Sequence, residues 1–223
     1  MTPLEISTEA LLAALGPAIV ETLVMVGISS VATVLLGLPL GVVLFTTQRG
    51  AMAENRIVSL LLSGLVNITR SVPYAILMLS LIPFTKWIVG TAVGPLAASV
   101  SLTIAAVPFF ARLVEAALRD VHPGKLDAAH AMGSTRFQTI TKVLLPEAAP
   151  ALVAAITTTV VTLIGYSAMA GLIGGGGLGR LGYNYGYQRF EPVVMLVTVV
   201  LLMGMVQLIQ ALGDTVIRRV DHR

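Results

Sequence analysis

Charged residues along this chain fall in clusters, and between the clusters lie five apolar stretches. Thr22 to Gln48, Trp87 to Ala111, Ala148 to Gly179 and Pro192 to Gly213 carry no charge, and Ile57 to Thr85 is interrupted only by Arg70. Roughly 20 apolar residues in a helix cross about 30 Å of hydrocarbon, so each stretch is long enough to span a bilayer. In lipid the stretches must be helices, because an open sheet edge leaves backbone groups unpaired. The pattern predicts spans at about residues 18–48, 57–85, 87–112, 147–173 and 192–216, with kinks at Pro39, Pro73, Pro83 and Pro108.

Composition points the same way. Of 223 residues, 56% are hydrophobic and 11% charged, and mean hydropathy is +0.91. A soluble domain of this length has no core large enough to bury that surface. The absence of cysteine removes disulfides and thiolate metal or nucleophile sites, and His122, His130 and His222 are too scattered to suggest a metal cluster, so no metal site is expected. The start, Met1 to Gly16, carries Glu5 and Glu9 but no Lys or Arg, which is the opposite of a cleavable leader; the N-terminus is expected to be retained.

Charge sets the expected orientation. With five spans the termini lie on opposite sides. If the C-terminus is cytoplasmic, the inner segments hold Arg49, Arg56, Arg112, Arg119, Lys125, Arg136, Lys142, Arg218, Arg219 and Arg223, against Lys86, Arg180 and Arg189 outside. Short loops rich in Lys and Arg stay in the cytoplasm, which puts the acidic N-terminus outside. Arg70 at mid-membrane costs about 2.5 to 3.5 kcal/mol, so it is expected to face protein, water or headgroups.

The longest polar segment, Arg112 to Glu147, separates the third and fourth stretches. Pro123 suits a first helical turn. Leu126, Ala129, Gly133, Phe137, Ile140 and Leu144 recur at steps of three and four, an apolar stripe on one helical face. Gly133 interrupts that helix, and Thr135 with Gln138 has the form of a capping box that restarts it. By residues alone, this is a pair of short helices at the cytoplasmic surface, open to reading as a connector resting on headgroups.

A motif adds to this. Asp127-Ala128-Ala129, three residues, Gly133, nine residues, Val143, one residue and Leu145-Pro146 resemble the Glu-Ala-Ala loop of ABC importer permeases, with Asp for Glu and Val for Ile. The resemblance implies a coupling helix at about residues 120–145 that docks on a separate ATPase, with Asp127, Ala128, Ala129, Met132, Gly133, Leu145 and Pro146 transmitting motion.

Beyond the fourth stretch, Gly165-Tyr166-Ser167-Ala168-Met169 leads into Gly174 to Gly179 and then Gly182-Tyr183-Asn184-Tyr185-Gly186-Tyr187. A phosphate-binding loop would close on Gly-Lys-Ser or Gly-Lys-Thr, which is absent, so a re-entrant turn of close-packed backbone is expected. Gly171, Gly175 and Gly179, and again Gly37 and Gly41, permit close helix crossing. Together with Asn67-Ile68-Thr69-Arg70-Ser71-Val72-Pro73, this order is similar to the permease subunit of methionine importers, from about Glu21 to Arg219.

That resemblance implies an all-α membrane protein of the type I ABC importer permease fold, one transmembrane domain over residues 1–223 with five transmembrane helices and a cytoplasmic coupling helix. It further implies a bacterial inner (plasma) membrane location and a homodimer paired with two cytoplasmic ATP-binding subunits. An external methionine-binding protein, often a lipoprotein, would feed the pair. ATP would be bound by the partner, leaving this chain no cofactor, no catalysis and no nucleic-acid partner. Asn67, Arg70, Ser71, Tyr166, Ser167 and Met169 are the pathway candidates: thioether and aromatic groups suit an apolar methionine side chain, and hydroxyl or amide groups its polar backbone. Two alternatives stay open, a permease for another small solute and a secondary transporter. Against the second, Glu21, Glu115 and Glu147 are all read at the edges of spans.

Overall fold

The structure, a computed structural model, describes residues 8–220. Glu5, His222 and Arg223 lie outside them, and with them part of the acidic start and of the basic tail. Among the described residues there are eleven α-helices and no strand: α1 Thr8–Thr46, α2 Arg56–Ser71, α3 Tyr74–Ser80, α4 Ile82–Val89, α5 Pro95–Arg119, α6 Pro123–Ala131, α7 Arg136–Thr139, α8 Leu145–Glu147, α9 Ala149–Ala170, α10 Gly177–Leu181 and α11 Pro192–Val220. Three π-helical segments, Ile140–Leu144, Gly171–Gly175 and Gly182–Tyr187, continue α7, α9 and α10.

Leu11–Thr46, Pro95–Arg119, Ala149–Gly175 and Pro192–Val220 are long and apolar enough to cross a membrane, and α2 with α3 forms a fifth, broken span. Two expectations need correction. The second stretch is not a kinked continuous helix: it bends by 102° between Ser71 and Tyr74. Pro73 supplies no amide hydrogen and drives the residue before it out of the helical region, so α2 stops and Pro73, at φ −57° and ψ 132°, starts α3. The third span begins at Pro95, eight residues later than expected, and runs to Arg119. Trp87 belongs instead to the short α4, which Pro83 opens and Gly90, at φ 81°, closes in the left-handed region. Pro39 and Pro108 sit inside α1 and α5 without ending them.

The chain forms two compact units. One comprises Thr33–Ser71, Ala106–Thr159 and the residues from Gln210 onward. Its core is Phe110, Val114 and Leu118 of α5, Val121, Leu144, Ala148 just before α9, and Ala155 within α9. Leu38 and Val42 of α1, Leu126 of α6 and Ile140 pack on that core. Close approach of α1 to α5 is what makes it possible. A Cβ at Gly41 would lie 2.6 Å from Val114, and one at Gly37 2.8 Å from Phe110. The Gly37 and Gly41 reading therefore describes a contact within the chain.

The other unit comprises the residues up to Ala32, Val72–Ala105 and Val160–Ile209. Here α9 ends at Ala170, and the glycine-rich segment turns back so that Gly171 faces the backbone of Gly176, Gly179 and Arg180. Gly174, Gly176 and Gly177 supply the positive φ values, 101°, 90° and 72°, which L side chains rarely adopt. The turn is held by α1: Glu21 Oε2 accepts from the Gly177 amide at 2.6 Å and Thr22 Oγ1 from the Leu178 amide at 2.9 Å. Glu21 is therefore an interior residue of α1 with a backbone partner. Leu11 and Ala18 then pack on Leu178, Leu181 and Val194.

Gly41→Ala should lower the thermal midpoint of the purified protein in detergent, by about 1–3 kcal/mol of overpacking strain. Gly204→Ala in α11, where an added Cβ meets nothing within 4 Å, should leave the midpoint unchanged or raise it, since alanine is the better helix former by about 1 kcal/mol. Equal midpoints for the two variants would refute the close crossing.

Candidate functional site

The loop between α5 and α9 is built as the sequence pattern predicts, with one change of register. Pro123 opens α6, and His122 caps it, its Nδ1 accepting from the Gly124 amide at 3.1 Å. Gly133 breaks the helix at φ 77°. Thr135 and Gln138 then form the capping box: the Gln138 amide donates to Thr135 Oγ1 at 3.3 Å, and the Thr135 amide to Gln138 Oε1 at 2.9 Å. Ala129 is fully buried, and Leu126, Ile140 and Leu144 pack inward. Phe137 does not join them and is 75% exposed, because the turn at Gly133 rotates the second helix relative to the first.

Asp127, Ala128, Met132 and Gly133 are exposed, Met132 to 79%. Leu145 packs against the core and Pro146 lies exposed in the short α8. An ion pair between Lys125 and Glu147 ties α6 to α8. The loop thus has an inner face seated on its own core and an outer face that presents two large apolar side chains. Exposed apolar groups of that size are available for a docking contact.

Above this loop lies a charged cluster that the sequence reading passed over. Glu115 of α5 is only 3% exposed. Its carboxylate accepts from Arg112 Nη1 at 2.5 Å, from Arg119 Nη2 at 2.6 Å and from Gln48 Nε2. Arg112 reaches on to α2, where Nη2 donates to the Ser63 carbonyl at 3.3 Å and to Asn67 Oδ1 at 3.0 Å. Spacings of three and four residues from Glu115 to its two arginines put all three groups on one helical face, and that signal was available in the sequence.

Asn67, Arg70 and Ser71 share the second half of α2. Asn67 is occupied by Arg112. Arg70 is exposed, with its guanidinium 5.9 Å from the Phe109 ring centre, a cation–π contact at the long end of the useful range. Ser71 donates to the Ile68 carbonyl at 2.7 Å, which satisfies its hydroxyl within the helix. Of the three, Arg70 alone keeps its polar end uncommitted to a hydrogen bond.

Tyr166, Ser167 and Met169 lie in the other unit. Ser167 is buried and donates to the Ile164 carbonyl at 2.7 Å, a packing role. Tyr166 is half-buried and its ring stacks on Tyr74, with centroids 4.6 Å apart and planes 4° from parallel. Tyr74 was not singled out from the sequence. Its hydroxyl donates to Met78 Sδ at 3.6 Å and lies 3.3 Å from Ser101 Oγ. Met169 lines an apolar cavity of about 420 Å³ with Leu172, Tyr183, Tyr187 and Met195. The structure therefore brings Tyr166 together with Tyr74, and Met169 with a second methionine and two tyrosines.

No group of three or more His, Asp or Glu able to hold a metal occurs among the described residues.

Relatives agree on the class. The chain is 52% identical over 203 residues to the probable D-methionine transport system permease protein MetI of Vibrio cholerae, covering 91% of this chain and 90% of that protein. It is 46% identical over 180 residues to the methionine import system permease protein MetP of Bacillus subtilis, with 81% of each covered. A crystal form of the MetNI methionine ABC transporter in an inward-facing conformation contains a chain that superposes with a TM-score of 0.95 at 46% identity, covering 96% of this chain and all of that one. An amino acid ABC transporter crystallised with histidines shares the fold at a TM-score of 0.78 and 21% identity. The model of the binding-protein-dependent transport system inner membrane component matches residues 34–223. By that match and by these identities, the chain belongs to the family of inner membrane components of binding-protein-dependent transport systems.

Proposed function

We propose that this chain is the permease subunit of an ATP-driven methionine importer, forming the translocation pathway and taking its power from separate subunits. The observation that carries the reading is the loop from Pro123 to Glu147. One face is anchored on the chain's own core through Ala129 and Leu144, and the other exposes Met132 and Phe137. Such a part passes force inward only if something outside grips it. Two copies of the chain, each gripped by an ATP-binding subunit, complete the assembly, and an external binding protein delivers the solute. The two chains meet because a single set of five spans is a poor enclosure for a solute path.

In this reading each chain acts as one transmembrane domain with its N-terminus outside and its C-terminus in the cytoplasm. ATP binding draws the two ATPases together and moves the loops; hydrolysis resets them, and access to the pathway alternates between the two sides. No cofactor is needed on the permease itself. Methionine is the solute because the named relatives carry it and because Met169, Met195 and the neighbouring tyrosines offer soft, polarisable surface to a thioether. Tyr166 on Tyr74, Met169 and the cation of Arg70 are the pathway contributions retained from the six candidates; Asn67, Ser71 and Ser167 serve packing and clamping.

Four measurements test this. Proteoliposomes with the chain, its ATPase and its binding protein should take up methionine in an ATP-dependent way, and the chain alone should take up none; gradient-driven uptake by the chain alone would refute the reading. In the complete system Tyr166→Ala should cut uptake about tenfold while Tyr166→Phe, which keeps the stack, stays near normal. Met132→Glu with Phe137→Ala should abolish co-purification of the ATPase while the permease still folds. Because the chain has no cysteine, Thr141→Cys should react with an impermeant maleimide in inside-out vesicles and not in intact spheroplasts; the reverse would overturn the orientation.

A further inference from the structure

We infer that Glu115 is a positioning residue for transport: it holds Arg112 in the orientation that clamps α2 to α5, so that α2 moves with the loop that α5 leads into. The inference rests on the importer reading above. A carboxylate with 3% exposure is retained in apolar surroundings only when it is well paired. Glu115 has three donors, drawn from α5 and from Gln48 just past the end of α1. Guanidinium is a planar fork, so fixing Nη1 of Arg112 on Glu115 also fixes the direction of Nη2. That second arm bonds two acceptors one turn apart on α2, the Ser63 carbonyl and Asn67 Oδ1.

The clamp matters because the other contacts that hold α2, Val66 and Leu62 packed with Leu44 and Ala111 and Arg70 over Phe109, are apolar or non-directional and fix no register. Val66 is its only buried residue, while Ile57, Leu60, Leu61, Leu65 and Ile68 are all exposed. In contrast, α5 is firmly joined to the loop. Only Asp120, Val121 and His122 separate α5 from α6, and Leu118 and Val121 pack in one cluster with Leu144 and Ala148. A displacement of α6 therefore carries α5 with it, and Arg112 is the hydrogen-bonded link that makes α2 follow in register. Arg70 and the break at Pro73 lie directly beyond the clamped turn of α2.

Two variants separate this from a merely structural role. Glu115→Gln removes the charge that orients Arg112. Arg112→Lys keeps a cation for Glu115 but has no second arm for α2. In proteoliposomes holding the whole transporter and binding protein, both should assemble and hydrolyse ATP within twofold of the wild type, while methionine taken up per ATP falls at least fivefold. Where Glu115→Gln fails to assemble, Arg112→Lys carries the test. The inference is overturned if Arg112→Lys retains wild-type uptake per ATP, or if hydrolysis and uptake fall in parallel. Absence of methionine uptake in the wild-type complex would instead refute the importer reading.

Discussion

Every backbone amide and carbonyl of a membrane span has to find its partner inside the protein, since hydrocarbon offers none. That constraint decides where this chain can be regular and where it can depart from regularity. α11 has no proline beyond its first residue and satisfies it within itself, whereas Pro17 and Pro39 in α1 and Pro108 in α5 each withhold one amide from the helix. The glycine-rich departure after α9 satisfies it by borrowing: Glu21 and Thr22 of α1 accept the amides of Gly177 and Leu178, and the Gly174 carbonyl accepts from Gly94. A carboxylate inside an apolar helix is costly in isolation, and here its cost is offset by closing a turn that would otherwise leave donors bare.

The same logic governs the charged cluster around Glu115. Two arginines, a glutamine and a glutamate meet where apolar residues would pack well, so cohesion alone does not account for them. What polar groups add is direction. Leu and Val contacts tolerate sliding, whereas Arg112 satisfies Ser63 and Asn67 in one register only. A helix pair that must stay in register while the rest of a transporter rearranges is better joined by such a fork than by grease.

Much of the fold was legible because it follows from local rules. The spans followed from charge clustering, and the helix, break and restart around Gly133 followed from Pro123, glycine and the Thr135–Gln138 box, each acting over four residues or fewer. What escaped was geometry set at a distance. Apolar content cannot distinguish a kink from the 102° bend at Pro73, nor tell that Trp87 belongs to a short separate helix. The stripe missed only at Phe137, in the first turn after the left-handed Gly133, and was met again at Ile140 and Leu144. Among pathway candidates, residue type alone could not separate Ser167, whose hydroxyl is spent on its own helix, from Tyr166, whose ring is stacked on Tyr74.

The folded-back glycine segment limits how this protein could diverge. Gly171 faces backbone, not side chains, and a methyl group there would come within 2.5 Å of the Arg180 nitrogen. Backbone cannot retreat as a flexible side chain can, so the turn is closed to gradual change. Any lineage that altered the solute carried would have to do so through the larger side chains beside the turn, leaving the glycines as a fixed frame around a variable lining.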